Sequence, residues 1–216
     1  MARRTKEDAL ATRHQLLDAA ERVFAEKGVS RTSLNDIAQA AGASRGAIYW
    51  HFKNKADLFN AMLERITLPM EEALHQSGRQ SGGDSGQDVL SGLLDAILDA
   101  MRKIASDERT RRVFDVATHK VEYVDELLAV KARQVRSHAD VVCQMQFALQ
   151  DACARRGLPP MASPTEVSHG LHALVSGLIQ SWLLAPEVFD LVKTAEVAMA
   201  AYLTGLGLGP PLPPSP

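Results

Sequence analysis

The stretch Thr32–Leu58, TSLNDIAQAAGASRGAIYWHFKNKADL, predicts two short helices joined by a tight turn and the start of a third helix. The first helix is expected over Leu34–Ala41, with Thr32 or Ser33 as its N-cap. Gly42 is expected to end this helix, because glycine adopts left-handed backbone at little cost. Two helices joined in this way form a helix-turn-helix, which lays its second helix in the major groove of DNA.

The second helix is expected to start after Ser44, whose hydroxyl can cap it, and to run through Trp50. Three residues have the spacing that a helix-turn-helix requires. Ala38 is small where the helices cross, Gly42 lies in the turn, and Ile48 is the apolar anchor beneath the second helix. Packing requirements alone therefore predict the motif.

The outward side of the second helix carries groups suited to DNA. Arg45, near its N-terminus, has the planar guanidinium that binds a guanine edge through two hydrogen bonds. Gly46 costs a helix about 1 kcal/mol relative to alanine, which indicates close approach to another surface. Donors and aromatic rings suited to the DNA backbone follow at Tyr49, Trp50, His51, Lys53 and Lys55.

Residues 42–46 also spell G-x-S-x-G, the nucleophile elbow of serine hydrolases. That elbow needs a β-strand leading into the turn, whereas the residues before Gly42 have helical periodicity and no run of β-branched side chains. Ser44 is therefore predicted to be a helix cap. We predict no catalytic residue and no enzymatic activity.

Two segments, TSLNDIAQAAG (Thr32–Gly42) and SRGAIYWHFKNKADLF (Ser44–Phe59), resemble the DNA-binding domain of TetR-family transcriptional repressors, and of AcrR-like multidrug-efflux regulators in particular. The match runs from about Arg13 to Leu63. The resemblance implies phosphate contacts from Thr32 and Ser33, base contacts from Arg45 and Gly46, and backbone contacts from Tyr49, His51 and Lys55. Ser44 and Trp50 complete the predicted DNA-binding set.

Composition favours an all-α protein, because alanine and leucine are abundant and aromatic residues make up only 5% of the chain. The net charge of −2 is unevenly distributed. Residues 1–60 have an excess of basic residues, and the remainder has an excess of acidic ones. The basic excess therefore accompanies the helix-turn-helix, as attraction to phosphate requires, although it is modest.

The chain has no predicted membrane segment or disulfide. No run of about 18 apolar residues occurs, and the basic N-terminus lacks the apolar stretch of a signal peptide. Cys143 and Cys153 fall on one predicted helix, too far apart to bridge, and are expected to be reduced thiols in the core. We therefore expect a cytoplasmic protein without membrane contact.

About nine helices are predicted in all. Their order gives three segments: a helix-turn-helix DNA-binding domain (1–57), a helical effector-binding and dimerisation domain (58–207), and a proline-rich tail (208–216). The helix beginning after Asn54 is expected to kink or break at Pro69. A later helix is expected to start near Ser85 with Asp88 as its capping-box partner, and another at Ser163 with Glu166.

The C-terminal half resembles the AcrR branch less closely, in HKVEYVDEL (His119–Leu127) and GLIQSWLLAPEVFDL (Gly177–Leu191). In the family the last two helices pair with their copies to form a dimer. A strip of small residues on the eighth helix is the predicted interface, with packing inside one chain as the alternative. The predicted interface residues are Gly170, Ala173, Leu174, Gly177 and Ser181.

The resemblance also implies a large, mostly apolar cavity for a drug-sized effector, although such residues are ordinarily core. The predicted lining is apolar or small: Met62, Ile66, Met70, Ile97, Met101, Phe114, Thr118, Val121, Val175 and Trp182. His169 and His172 share a helix face and suggest a metal, but no cysteine or carboxylate lies beside them at ligand spacing. We predict neither a metal nor another cofactor.

Together these features predict a homodimeric, ligand-responsive repressor. Its partners would be double-stranded operator DNA of palindromic sequence, a small hydrophobic effector and a second copy of itself. The expected target is a multidrug-efflux operon, from which hydrophobic drugs would release the protein. The alternative is a regulator of the same fold that controls a metabolic operon and senses a lipid or an aromatic metabolite.

Overall fold

A computed structural model of the protein describes residues 6–79 and 88–209. Every regular element in these two ranges is helical, which confirms the predicted all-α class. The nine α-helices found there are α1 (Lys6–Lys27), α2 (Leu34–Ala40), α3 (Arg45–His51), α4 (Lys55–Arg79), α5 (Val89–Ser106), α6 (Glu108–His119), α7 (Leu128–Arg155), α8 (Pro164–Leu184) and α9 (Leu191–Gly205). A short 3₁₀ helix, η1 (Asp125–Leu127), precedes α7.

The helices form two compact units. Among the described residues, unit 1 contains those up to Leu68 together with Arg109–Arg136, and unit 2 contains those between Pro69 and Glu108 together with those from Ser137 onward. Both α4 and α7 are shared, with the N-terminal part of each in unit 1.

The core of unit 1 extends beyond the predicted DNA-binding domain of residues 1–57. Phe24, Ile37, Ile48 and other side chains of α1–α4 pack into one buried cluster. The same cluster includes the apolar residues Val113, Val116, Leu127 and Val130 from α6, η1 and α7. These residues bury the apolar faces of α1 and α4, so the helix-turn-helix is braced by a segment from much later in the chain.

In unit 2, α9 packs against both α5 and α8. The Tyr202 hydroxyl of α9 donates a hydrogen bond to the Val167 carbonyl of α8 at 2.7 Å. A Cβ atom at Gly170 would collide with the Tyr202 hydroxyl. Gly170 therefore has a packing role within its own chain.

Several predicted helix boundaries need correction. Asp88 is itself the N-cap of α5 and accepts hydrogen bonds from the Leu90 and Ser91 amides, while Ser85 lies outside the described residues. Ser163 makes no side-chain capping bond to α8, because its backbone (φ −139°, ψ 69°) differs from ordinary extended cap geometry. The α4 helix continues through Pro69 without a break.

The cysteine prediction was partly wrong. Both thiols are free, and Cys153 is buried as expected, but Cys143 is exposed on α7.

Candidate DNA-binding site

Local hydrogen bonds fix the helix-turn-helix. Ser33, not Thr32, caps α2: its hydroxyl accepts from the Asp36 amide at 3.1 Å, and the Asp36 carboxylate accepts from the Ser33 amide at 2.9 Å. The Ser33 hydroxyl also donates to the Asp36 carboxylate at 2.6 Å, and this hydrogen bond, followed by the one from the Ser33 amide, lowers the pKa of Asp36. Gly42 has a φ of +65° in the turn, and the Ser44 hydroxyl accepts from the Ala47 amide at 3.2 Å. Ser44 is thus a cap of α3, as predicted.

The face of α3 that bears the predicted base-reading residues is open. Tyr49 and Trp50 are 51% and 72% exposed, unusually high for large aromatic side chains. The Arg45 guanidinium lies over the Tyr49 ring, 5.7 Å from its centroid, which keeps its hydrogen-bonding edge available. The Trp50 and His51 rings meet edge to face at 4.5 Å.

Packing among the described residues does not require a glycine at position 46. A Cβ atom there would meet only the Ser44 hydroxyl, at 3.9 Å, among the described residues. Contacts within the chain therefore do not explain why this position is glycine. Close approach of another surface to α3 remains our prediction.

Two of the predicted phosphate contacts lie differently. The Thr32 side chain is buried and donates to the Gly28 carbonyl at 2.7 Å. Lys55 is only 5% exposed, and its ammonium donates to the carbonyls of Ser30 at 3.3 Å and Thr32 at 3.0 Å. A third partner, the Glu126 carboxylate, lies 2.9 Å away. In this conformation both side chains stabilise the loop before α2 and do not point freely outward.

A charged cluster joins α1 to α4 and α6 within unit 1. Glu21 is buried on α1, and its carboxylate pairs with the guanidinium groups of Arg65 and Arg109. Asp18 pairs with the same two arginines, at 2.8 Å in each case. Because a buried carboxylate is costly unless it is paired, this cluster fixes α6 against α1, with α4 sharing the same two carboxylates.

The residues predicted to line an effector cavity are divided between the units. Met62, Ile66, Phe114, Thr118 and Val121 belong to unit 1, whereas Met70, Ile97, Met101, Val175 and Trp182 belong to unit 2. Met62 is fully buried in the unit 1 core, and Ile66 and Val121 pack against that core. Their role as effector contacts stays a prediction.

Unit 2 also contains a polar pair that the sequence did not reveal. The Gln144 amide nitrogen on α7 lies 3.3 Å from Nδ1 of His75 on α4. The Gln144 amide oxygen is buried and has no hydrogen-bond partner among the described residues. An unsatisfied buried acceptor is unusual and is suited to a donor on a ligand.

The residues of the predicted interface strip on α8 differ in exposure and in their neighbours. Ala173 and Ser181 are exposed, and no described atom lies within 4 Å of the position that a Cβ on Gly177 would take. Gly170, in contrast, already contacts Tyr202 of the same chain. The outer part of the strip is therefore available to a partner, and its use in a dimer stays a prediction.

Three histidines of unit 2 lie together. The His138 ring on α7 stacks on His169, with 5.5 Å between centroids, and meets the edge of His172 at 4.2 Å. Burial, followed by repulsion from these two neighbours, lowers the pKa of His172 to about 4. Within residues 6–79 and 88–209, no group of three or more His, Cys, Asp or Glu side chains is arranged to hold a metal ion.

Two family models together match most of the described chain. Residues 16–62 match the model for bacterial regulatory proteins of the tetR family, which covers the helix-turn-helix and the start of α4. Residues 88–207 match the C-terminal region of MAATS-type transcriptional repressors.

The chain belongs to the TetR family.

Relatives and solved structures agree with this assignment over nearly the full chain. The protein is 38% identical to the HTH-type transcriptional regulator TtgR of Pseudomonas putida, over 98% of this chain and 99% of TtgR. NalD, the secondary repressor of the MexAB-OprM multidrug efflux pump in Pseudomonas aeruginosa, has a TM-score of 0.81 at 37% identity. That alignment covers 92% of this chain and 98% of NalD.

A third similar protein has been solved with a ligand. The SmeT–triclosan complex has a TM-score of 0.79 at 30% identity, covering 94% of this TetR-family chain and 99% of SmeT. SmeT is the repressor of the Stenotrophomonas maltophilia multidrug efflux pump SmeDEF.

The described part of the chain contains no helix with the length and apolar character needed to cross a membrane.

Proposed function

We propose that this TetR-family regulator represses a multidrug-efflux operon and leaves its operator when a hydrophobic drug binds. The observation that carries the proposal is similarity across both halves of the chain to regulators such as TtgR and NalD. Similarity restricted to the helix-turn-helix would support DNA binding alone. Similarity over the second half supports the same kind of effector and target operon.

For DNA recognition, we propose that α3 lies in the major groove with Arg45 and Gly46 at the base edges. Tyr49, Trp50 and His51 would contact the backbone around them, together with Ser33 and Ser44 at the helix N-termini. The support is exposure: Arg45, Tyr49 and Trp50 point outward from a helix whose buried side is fixed by Ile48.

We propose that the protein acts as a homodimer on a palindromic operator. One short recognition helix contacts only a few base pairs, and a two-fold axis doubles the sequence that is read. The open part of the α8 strip, around Ala173, Gly177 and Ser181, would form part of the interface. This placement predicts that Gly177→Leu shifts the dimer toward monomer in sedimentation at low micromolar concentration, because the larger side chain overpacks a close helix contact.

The control for this variant is Ala139→Leu, which places the same side chain on an exposed part of α7. An unchanged dimer in both variants would exclude the α8 strip as the interface.

For the effector, we propose an apolar, drug-sized molecule. Within unit 2 the apolar surface would come from the predicted contacts Met70, Ile97, Met101, Val175 and Trp182. The Gln144 oxygen, which has no partner among the described residues, would accept one hydrogen bond.

We further propose a cytoplasmic regulator without catalytic activity, since the Ser44 hydroxyl is engaged in capping α3.

Calorimetry provides the test. Triclosan, the ligand in the similar SmeT complex, is titrated into the protein alone and into the protein saturated with the DNA upstream of its gene. Coupling between two sites is reciprocal, so bound DNA should weaken triclosan binding by the factor by which triclosan weakens DNA binding, about 5- to 150-fold. The release mechanism would be contradicted if the protein binds both DNA and triclosan, but triclosan binds with the same affinity to the free and to the DNA-saturated protein.

A further inference from the structure

The environment of Lys55 on the first turn of α4 is unusual for a lysine. Its side chain is buried, and each of the three donors of its ammonium group has a partner: the Ser30 carbonyl, the Thr32 carbonyl and the Glu126 carboxylate. Lysine is almost never fully buried unless it is paired. The ion pair with Glu126 therefore compensates the burial of this charge.

The two carbonyls and the carboxylate come from different parts of unit 1. Ser30 and Thr32 belong to the loop that leads into α2, directly before the Ser33 cap. Glu126 belongs to η1, and the next residue, Leu127, is buried in the unit 1 core. Leu127 thus holds η1 in place, while the Glu126 side chain remains 52% exposed. Lys55 is enclosed by backbone on one side and approached by Glu126 from a solvent-accessible position.

We propose that Glu126 is a positioning residue that competes with DNA phosphate for the Lys55 ammonium. This inference rests on the proposed DNA-binding function. A phosphate oxygen and a carboxylate oxygen are equivalent partners for an ammonium group, and both form short, charge-assisted hydrogen bonds. When DNA binds, a phosphate replaces Glu126, while the Ser30 and Thr32 carbonyls continue to hold the ammonium in position.

The competition predicts the direction in which DNA affinity and its salt dependence change when the Glu126 charge is removed. In the free protein Glu126 already neutralises Lys55. The wild-type exchange neutralises one phosphate but frees one carboxylate charge beside it, so it adds no net positive contact to the salt dependence of binding. Without the Glu126 charge, Lys55 becomes a net positive contact, and each phosphate that is neutralised steepens the salt dependence of binding by about 0.9 in the logarithmic slope. A purely structural role for Glu126 predicts the opposite, because loss of a brace weakens binding.

The test uses Glu126→Gln, which removes the charge and nearly preserves the side-chain shape. Binding to a random-sequence duplex and to the DNA upstream of the gene is measured by fluorescence anisotropy over a series of NaCl concentrations. Asp125→Asn is the matched control, because it removes the same charge one residue away in η1. We expect Glu126→Gln to bind both duplexes about three- to fivefold more tightly at low salt, with a slope steeper by about 0.9. The control should stay within about twofold of wild type.

A second variant removes the partner. In a Lys55→Met background, Glu126→Gln should no longer differ from Asp125→Asn, because the ammonium for which it competes is absent. If Lys55→Met does not fold, the salt slopes of the two single variants decide alone. Equal slopes for Glu126→Gln and Asp125→Asn, or weaker binding by Glu126→Gln, would overturn the competition while DNA binding by the wild type stands. Failure of the wild-type protein to bind either duplex would instead refute the proposed function, and the competition with it.

Discussion

Two segments of unit 1 are stabilised by different kinds of interaction: the segment proposed to contact DNA, and the segment that supports it. The segment from Ser33 to His51 depends on hydrogen bonds between residues three or four positions apart and leaves its aromatic side chains in solvent. The segment Arg109–Arg136 is attached to the two helices that flank the first segment through ion pairs across long stretches of sequence, Arg109 with Glu21 on α1 and Glu126 with Lys55 on α4.

The difference separates two kinds of mutational effect. A surface residue of α3 can change without disturbing the core, so its loss should lower DNA affinity and leave folding intact. A residue such as Glu21 compensates buried charge, so its loss should lower stability first. The predictions below test this separation, beginning with the largest expected effect.

Glu21→Ala should lower the free energy of unfolding by about 2–3 kcal/mol, because Arg65 and Arg109 lose their buried carboxylate partner and keep only the half-exposed Asp18. Urea denaturation followed by circular dichroism measures the change. Glu26→Ala is the control, since Glu26 is exposed near the end of the same helix. Similar midpoints for the two variants would show that the cluster contributes little to stability.

Arg45→Ala should lower affinity for the operator by about 1–3 kcal/mol and relax sequence preference, because a guanine edge loses its guanidinium partner. Its unfolding midpoint should equal that of wild type, since Arg45 is exposed. Lys53→Ala, at an exposed position beyond α3, should weaken operator and random DNA alike. Wild-type operator affinity in Arg45→Ala would rule out its assignment as a base contact.

Ser44→Ala should destabilise the protein by about 1 kcal/mol, because the Ala47 amide loses its acceptor at the N-terminus of α3. Ser163 occupies the corresponding position before α8 but makes no capping bond. Ser163→Ala should therefore leave the unfolding midpoint unchanged. An equal loss in both variants would show that cap geometry does not determine the effect.

The smallest expected effect is a pH dependence from His172. Its pKa falls from 6.5 when unfolded to about 4 when folded, so between these values the unfolded chain binds the additional proton. Stability should therefore decrease as the pH is lowered from about 6.5 to about 4. Because the ring is only half-buried and water screens it, we expect a loss of at most about 1 kcal/mol. His172→Gln should show a smaller decrease in urea denaturation at pH 7 and pH 5.

The sequence predicted those features that depend on neighbouring residues. Ser44, Gly42 and Asn54 act within three or four positions, and the helical periodicity around them is strong, so the helix-turn-helix and its caps were correctly placed. Ser163 shows the limit of such patterns, because the residue types of a capping box were present without the backbone geometry that makes the bond.

Partners distant in sequence could not be predicted in this way. The Glu21–Arg109 pair spans 88 positions, and nothing in the pattern of α1 distinguishes Glu21 from the exposed acids nearby. The resemblance implied that Lys55 contacts the DNA backbone, whereas tertiary packing surrounds its ammonium group with two carbonyls and a carboxylate. Only the folded chain brings these groups together.

The two tryptophans of the chain make each half of the protein optically distinguishable. Trp50 stands in water on the recognition helix, whereas Trp182 is buried among the apolar residues of unit 2. An indole in water emits at longer wavelength than a buried one, so the emission spectrum contains two separable contributions. Replacing either tryptophan by phenylalanine leaves a single-residue reporter, with Trp50 at the proposed contact with DNA and Trp182 at the proposed effector site. The unmodified protein thus carries its own fluorescent label at each of the two sites proposed above for DNA and for the effector.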